Sequence, residues 1–219
     1  MSAPVRAGTG NFFLKKTGKR ACIPAAMQDG QKPPAEPAPN LILTGFMGTG
    51  KTSVGHVLAH ALKRPFFDTD REIERRENRK IKEIFAAQGE AAFRALEQKC
   101  VDEWLPDAGA VISTGGGILT SPGMCEKLRS RGIVVTLFAT PETIFARTRG
   151  SSRPLLKSET PEERTEKIRT LLAARERDYR RAGIGVFTDG VSAAELAERI
   201  LRIYRREIRA RRAGRSRKK

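Results

Sequence analysis

Apolar residues along this chain follow two alternating periods. Leu41-Ile42-Leu43 is a short, unbroken run of branched residues, the pattern of a parallel strand buried on both faces. Val54, Val57, Leu58, Ala61 and Leu62 then recur at helical spacing and predict a helix ending near Leu62. Pro65-Phe66-Phe67 leads a second short strand into Asp68-Thr69-Asp70. Sparse anchors at Ile73, Ile81, Ile84 and Phe85 mark a charged helical stretch. A long helix is expected to open at Gly89 and run through Trp104, with Phe93, Leu96, Cys100 and Trp104 facing inward. Ala110-Val111-Ile112-Ser113 is a third strand, running into Thr114-Gly115-Gly116-Gly117. Ile133–Phe138, nearly all branched or aromatic, is the fourth and clearest, and Val186-Phe187-Thr188 is the fifth.

Helix starts punctuate the intervals between strands. Ser121-Pro122, Thr140-Pro141 and Thr160-Pro161 each pair a capping side chain with proline at the first helical position. The helices they open should end near Ser130, Gly150 and Arg181. Thr160 with Glu163 and Ser192 with Glu195 are capping boxes, and the last helix carries Leu196, Ile200, Ile203 and Tyr204 on one face. Strands alternating with helices predict an α/β protein with a five-stranded parallel sheet covered on both faces. Dense prolines from Lys32 to Pro39 make residues 1–39 a disordered extension, and Met27 is a possible alternative start. One domain over 40–204 and a basic tail over 205–219 complete the expected layout.

Composition changes this picture in two respects. No apolar run approaches the ~18 residues of a membrane span, and Cys22, Cys100 and Cys125 are odd in number and far apart. Free thiols in a reducing cytoplasm are therefore expected, with neither disulfides nor a zinc site. The formal charge of +17 suggests a polyanionic partner until it is located. Residues 1–39 hold six basic against two acidic side chains, residues 202–219 ten against one, and 40–201 twenty-six against twenty-two. The excess sits in the ends, so nucleic acid is not expected as the domain's substrate. The tail still leaves room for contact with RNA, DNA or an acidic membrane surface.

Candidate chemistry starts at Gly45-Phe46-Met47-Gly48-Thr49-Gly50-Lys51-Thr52, which fits G-x-x-x-x-G-K-[ST] between a predicted strand and helix. Glycines there let backbone N–H groups turn around phosphate oxygens, and the helix N-terminus adds positive potential. Gly48, Thr49, Gly50, Lys51, Thr52 and Ser53 are expected to bind ATP, with Lys51 on the β/γ-phosphates and the Thr52 hydroxyl on Mg²⁺. The loop alone does not choose among ATPases, GTPases and small-molecule kinases. Nothing like a guanine-reading N-K-x-D follows the late strands, and the chain is short for a motor. A kinase needs acceptor-binding groups at the carboxyl ends of the strands. Asp68 and Asp70 qualify, on one side if their strand continues, although an Asp before a helix is also a common cap. Arg94 qualifies, or else pairs with Glu97 at i, i+3 on a helix surface. The triple glycine suggests close approach of backbone to a ligand, and Arg153 lies in a segment, about 150–159, suited to a lid over phosphates.

Together these pieces resemble shikimate kinases. The resemblance rests on the phosphate loop, Phe67-Asp68-Thr69-Asp70, Gly89-Glu90-x-x-Phe93-Arg94-x-x-Glu97, Gly115-Gly116-Gly117, Arg153-Pro154-Leu155-Leu156, and Arg175 four residues before Tyr179-Arg180-Arg181. It spans about residues 40–205 and implies a three-layer P-loop kinase fold that moves the ATP γ-phosphate to the 3-hydroxyl of shikimate, in aromatic amino-acid biosynthesis. It implies that Asp70 binds the ring hydroxyls and acts as the catalytic carboxylate. Arg94 and Arg175 would clamp the shikimate carboxylate, with backbone donors from Gly115, Gly116 and Gly117. Lys51 and Arg153 would neutralise the transferring phosphoryl group, Thr52 and (through water) Asp68 would hold Mg²⁺, and Arg147 would stack on adenine. A monomer is expected. A gluconate kinase would share the loop without needing two carboxylate-clamping arginines. A catalytically silent nucleotide sensor would usually have lost Lys51, Asp70 or Arg153, and all three are present.

Overall fold

Full burial of Leu41, Ile42 and Leu43 marks β1 (Asn40–Gly45) as the central strand of the computed structural model, which describes residues 38–149, Leu156 and 160–216. Strands β2 (Phe66–Asp68), β3 (Val111–Ser113), β4 (Gly132–Phe138) and β5 (Ile184–Phe187) complete one parallel sheet in the order β2-β3-β1-β4-β5. The helices are α1 (Lys51–Leu62), α2 (Thr69–Glu77), α3 (Ile81–Lys99), α4 (Met124–Arg131), α5 (Pro141–Thr148), α6 (Pro161–Ala182) and α7 (Ala193–Ser216). Side-chain alternation along the strands divides the interior into two layers. Ile42, Ile112 and Val134 face Ile73, Phe93, Leu128 and Tyr179 on one side. Leu41, Leu43, Val111 and Val135 face Val54 and Leu58 of α1 and Leu196, Ile200 and Tyr204 of α7 on the other. The three-layer α/β architecture is as expected.

Local details refine or differ from the sequence expectations in four places. Of the two alternatives for Asp68, strand or cap, the structure has the cap: β2 stops at Asp68, whose carboxylate caps α2 by accepting from the backbone N–H groups of Asp70 and Arg71, at 3.2 and 3.3 Å. Gly89, at φ 79° and ψ 179°, breaks the helical backbone inside α3, so a second helical stretch opens there as expected and carries Glu90 and Arg94, while the stretch from Ile81 abuts it across a kink. The second part of that helix ends at Lys99 and continues as one π-helical turn over Cys100–Trp104. Ser121-Pro122 makes a turn, and α4 begins at Met124 behind Gly123 at φ 75°.

The other caps form as predicted: Thr140 accepts from the Thr143 N–H, and the boxes at Thr160/Glu163 and Ser192/Glu195 are both closed. The last helix passes Tyr204 and runs on through Ser216. Apart from buried Leu156, the segment expected to form a lid, with Arg153, lies outside the described residues, as do residues 1–37. Among the described residues no helix is long and apolar enough to cross a membrane.

Ile200 is fully buried where α7 meets the sheet. Ile200→Ala should lower the unfolding free energy by about 2–5 kcal/mol in denaturant titration, with turnover at low temperature kept.

Candidate functional site

At the carboxyl end of β1 the chain turns at Gly45, whose φ of 133° and missing Cβ let it pass 2.3 Å (from the ideal Cβ position) beside the Leu137 carbonyl. Gly48 (φ 81°) and Gly50 (φ 94°) continue the loop into the N-terminus of α1. Thr49 closes it by donating from its hydroxyl to the Phe46 carbonyl at 2.7 Å. The Lys51 ammonium folds back and donates to the carbonyls of Gly45 and Phe46, at 2.8 and 2.9 Å. A cleft of about 530 Å³ opens above this loop. Gly48, Thr49, Gly50, Lys51, Thr52 and Ser53 line one wall; Asp68, Asp70, Thr114, Gly116 and Arg147 line the rest.

Thr52 Oγ1 lies 3.4 Å from Asp68 Oδ2, so a hydroxyl and a carboxylate oxygen meet at the foot of the cleft. Both are hard oxygen donors of the kind Mg²⁺ takes. Among the described residues no three or more His, Cys, Asp or Glu gather to hold a metal. That donor set fits an ion completing its shell with phosphate and water. Arg147 closes the opposite side, donating to the Thr188 hydroxyl at 2.9 Å and the Thr188 carbonyl at 2.8 Å. Its Nη1 also lies 3.5 Å from the Gly48 carbonyl, which ties this arginine to the phosphate loop.

Beyond the cleft a second set of charged groups converges on the triple glycine. A Cβ built on Gly115 would lie 2.5 Å from Asp70 Oδ1 and 2.7 Å from Glu97 Oε1. One built on Gly117 would lie 2.6 Å from both terminal nitrogens of Arg94. The glycines thus let the backbone lie directly against the acid and the arginine. Gly115 is held in place by its N–H, which donates to the Thr69 hydroxyl at 2.9 Å. The Gly116 carbonyl accepts from the Tyr179 hydroxyl at 2.5 Å and from Arg175 at 3.5 Å. Arg175 is buried, and its guanidinium stands 5.7 Å over the Phe46 ring.

Arg94 does make the i, i+3 pair with Glu97, at 2.6 Å, but not on a surface. Glu97 is fully buried, and Arg94 is 16% exposed. Glu90 takes two further donors of Arg94, at 2.7 and 3.2 Å. Three of its five N–H groups are thereby committed, leaving one on each terminal nitrogen for a planar anion. Burial pushes the Glu97 carboxyl up to about 7. Arg94 and Arg175 pull it down, and Asp70 pushes it further up. All four charges therefore act on one another across a small volume. Sequence reasoning had Glu97 only as the partner of Arg94. Phe46, Tyr179 and Thr188 it missed as supports, since nothing in local spacing shows an aromatic ring under one arginine or a carbonyl anchoring another.

Fold and cleft together define a P-loop α/β protein in which Asp70, Glu97, Arg94 and Arg175 gather around the triple glycine beside the phosphate loop. The sequence family described as shikimate kinase matches residues 47–205, and the chain belongs to that family. The shikimate kinase of Thermus thermophilus is 46% identical over 177 residues, covering 80% of this chain and 95% of the relative. That of Deinococcus radiodurans is 46% identical over 165 residues, covering 75% and 83%. Among solved structures, shikimate kinase from Acinetobacter baumannii in complex with shikimate superposes with a TM-score of 0.71 at 40% identity, over 76% of this chain and 92% of that one.

Since the folded-state pKa of Glu97 lies above its ordinary value of 4.5, the fold disfavours its ionised form. Its contribution to stability is complete below about pH 4.5 and is lost as pH rises through about 7. In Glu97→Gln this loss should vanish. The fall in unfolding free energy between pH 4.5 and pH 8 should shrink by roughly 1–3 kcal/mol in denaturant titrations at the two pH values.

Proposed function

We propose that this chain phosphorylates the 3-hydroxyl of shikimate with ATP, giving shikimate 3-phosphate for aromatic amino-acid biosynthesis. The observation that carries this reading is the gathering of Asp70, Arg94 and Arg175 around the triple glycine, beside the phosphate loop. Two arginines and a carboxylate suit a small acceptor with an acidic group at one end and hydroxyls at the other. A neutral or guanine-containing acceptor would need neither arginine.

In this assignment the backbone N–H groups of Gly48 to Thr52 and the N-terminus of α1 bind the nucleotide phosphates, with Ser53 beside them. Arg147, fixed by Thr188, flanks the adenine. Arg94 and Arg175 grip the acceptor carboxylate, each as a planar donor held in place by its own support: Glu97 for Arg94, the Phe46 ring for Arg175. Gly115, Gly116 and Gly117 form the wall against which the ring lies. Asp70, in the first turn of α2, takes the acceptor hydroxyl as base or positioner. Lys51 and Arg153 balance the charge on the moving phosphoryl group, and Thr52 with Asp68 holds Mg²⁺, Asp68 through water. When bound there, Mg²⁺ would supply positive charge to offset that of the phosphates. Positioning and charge balance supply most of the catalysis in such transfers, so displacement of one support should be felt in turnover.

A coupled assay should record ADP release that needs ATP, Mg²⁺ and shikimate together. Activity on gluconate without activity on shikimate would overturn the assignment. Arg94→Ala and Arg175→Ala should each lower kcat/KM for shikimate by roughly 10- to 100-fold and leave the KM for ATP nearly unchanged. Asp70→Asn should lower kcat by roughly 10²–10⁴-fold with nucleotide binding intact.

A further inference from the structure

The C-terminal half of α7 takes no part in the cleft. Arg202, the adjacent Arg205 and Arg206, Arg209 and Arg212 recur at spacings of three and four, so they share one face of the helix, and all five are exposed. No acidic residue stands three or four positions from Arg205 or Arg209, and an exposed ion pair joins Arg206 to Glu207. Like charges one turn apart disfavour a helix by a few tenths of a kcal/mol per pair. A helix dipole would favour cations only in the last turn, which does not account for Arg202 to Arg206, ten or more residues before Ser216. Further along, the face adjoins a cleft of about 380 Å³ lined by Asp107, Ser130, Arg131, Arg211 and Arg212, where Arg131 pairs with Asp107 at 3.1 Å and Arg211 donates to the Gly132 carbonyl at 3.0 Å.

We propose that this arginine face is a docking surface for the phosphodiester backbone of nucleic acid. Charge complementarity selects a polyanion, and the makeup of the face selects among polyanions. The apolar side of α7 is consumed by packing, with Leu196, Ile200 and Tyr204 buried against α1 and the sheet. From Arg205 to Gly214 the exposed positions are arginines with Ala210, Ala213 and Gly214, and the flanking Ile203 and Ile208 are partly buried against the same core, which leaves little apolar area to enter a lipid surface. It also lacks any aromatic group on which a base would stack, so recognition is of backbone charge and is insensitive to sequence. Helix geometry separates the two sites. Ala193 lines the catalytic cleft, and nine to nineteen residues at a rise of 1.5 Å place Arg202 to Arg212 roughly 14–29 Å along the helix from it. Nucleic acid bound there leaves the cleft open.

The test is fluorescence anisotropy of a labelled, mixed-sequence 30-nucleotide RNA and a 30-base-pair DNA duplex with the full chain, between 50 and 200 mM NaCl. Four or so phosphate contacts predict a slope of log K against log salt of about −3 to −4, hence roughly 100-fold weaker binding at the higher salt. The variant Arg205→Gln, Arg206→Gln, Arg209→Gln, Arg212→Gln should lose at least tenfold in affinity at 50 mM salt and most of that slope, with shikimate-dependent turnover unchanged. Absence of binding at 50 mM salt, equal binding by the variant, or preference for vesicles of phosphatidylcholine and phosphatidylserine over both nucleic acids would each overturn the proposal.

Discussion

The site depends on a strip of backbone that carries no Cβ. Gly115 and Gly117 let the chain after β3 run within van der Waals reach of Asp70, Glu97 and Arg94. A methyl group at either position would occupy the place of a carboxylate oxygen or of the Arg94 fork. Because the strip is so close, the charged groups can stand in a buried pocket and still touch one another. Burial makes each interaction stronger than it would be in water and makes each unpaired group costly. Glu97 feels both effects: its carboxyl is pushed up by burial and held by the Arg94 guanidinium at 2.6 Å.

From that strip the remaining parts take their positions. Asp68 caps α2 with one carboxylate oxygen and approaches Thr52 with the other, so a local capping requirement also sets the acid where a phosphate-bound cation would lie. The parallel sheet brings the ends of β1, β2 and β3 side by side, which places the phosphate loop, the Asp68–Asp70 turn and the glycine strip on one edge. Helices α3 and α6 supply Arg94 and Arg175 from elements outside the sheet. Rigid loop backbone thus stands on one side of the site and long side chains from helices on the other.

Much of this was legible in the sequence because it is local chemistry. The Thr140 and Thr160 caps, the branched strands and the glycine loop each declare themselves within a few residues. The reading stayed open where two local preferences competed: after Phe67 the strand pattern could have continued, but Asp68 at the capping position ended it. Gly89 was legible as a helix start, whereas the stretch from Ile81 abutting it as one kinked helix was not. The pair of Arg94 with Glu97 is formed, but it is buried against Gly117 and not on a helix surface. Phe46 under Arg175 and Thr188 beside Arg147 join residues far apart in the chain, and no periodicity reports such contacts.

The central claim is that the glycine strip, the two arginines and Asp70 form one acceptor pocket facing the phosphate loop. A crystal structure with shikimate and a non-hydrolysable ATP analogue tests it most directly. The shikimate carboxylate is expected within hydrogen-bonding distance of both Arg94 and Arg175, and the 3-hydroxyl beside Asp70 and directed at the γ-phosphate. A carboxylate bound elsewhere, or a ring turned so that Asp70 meets no hydroxyl, would contradict it.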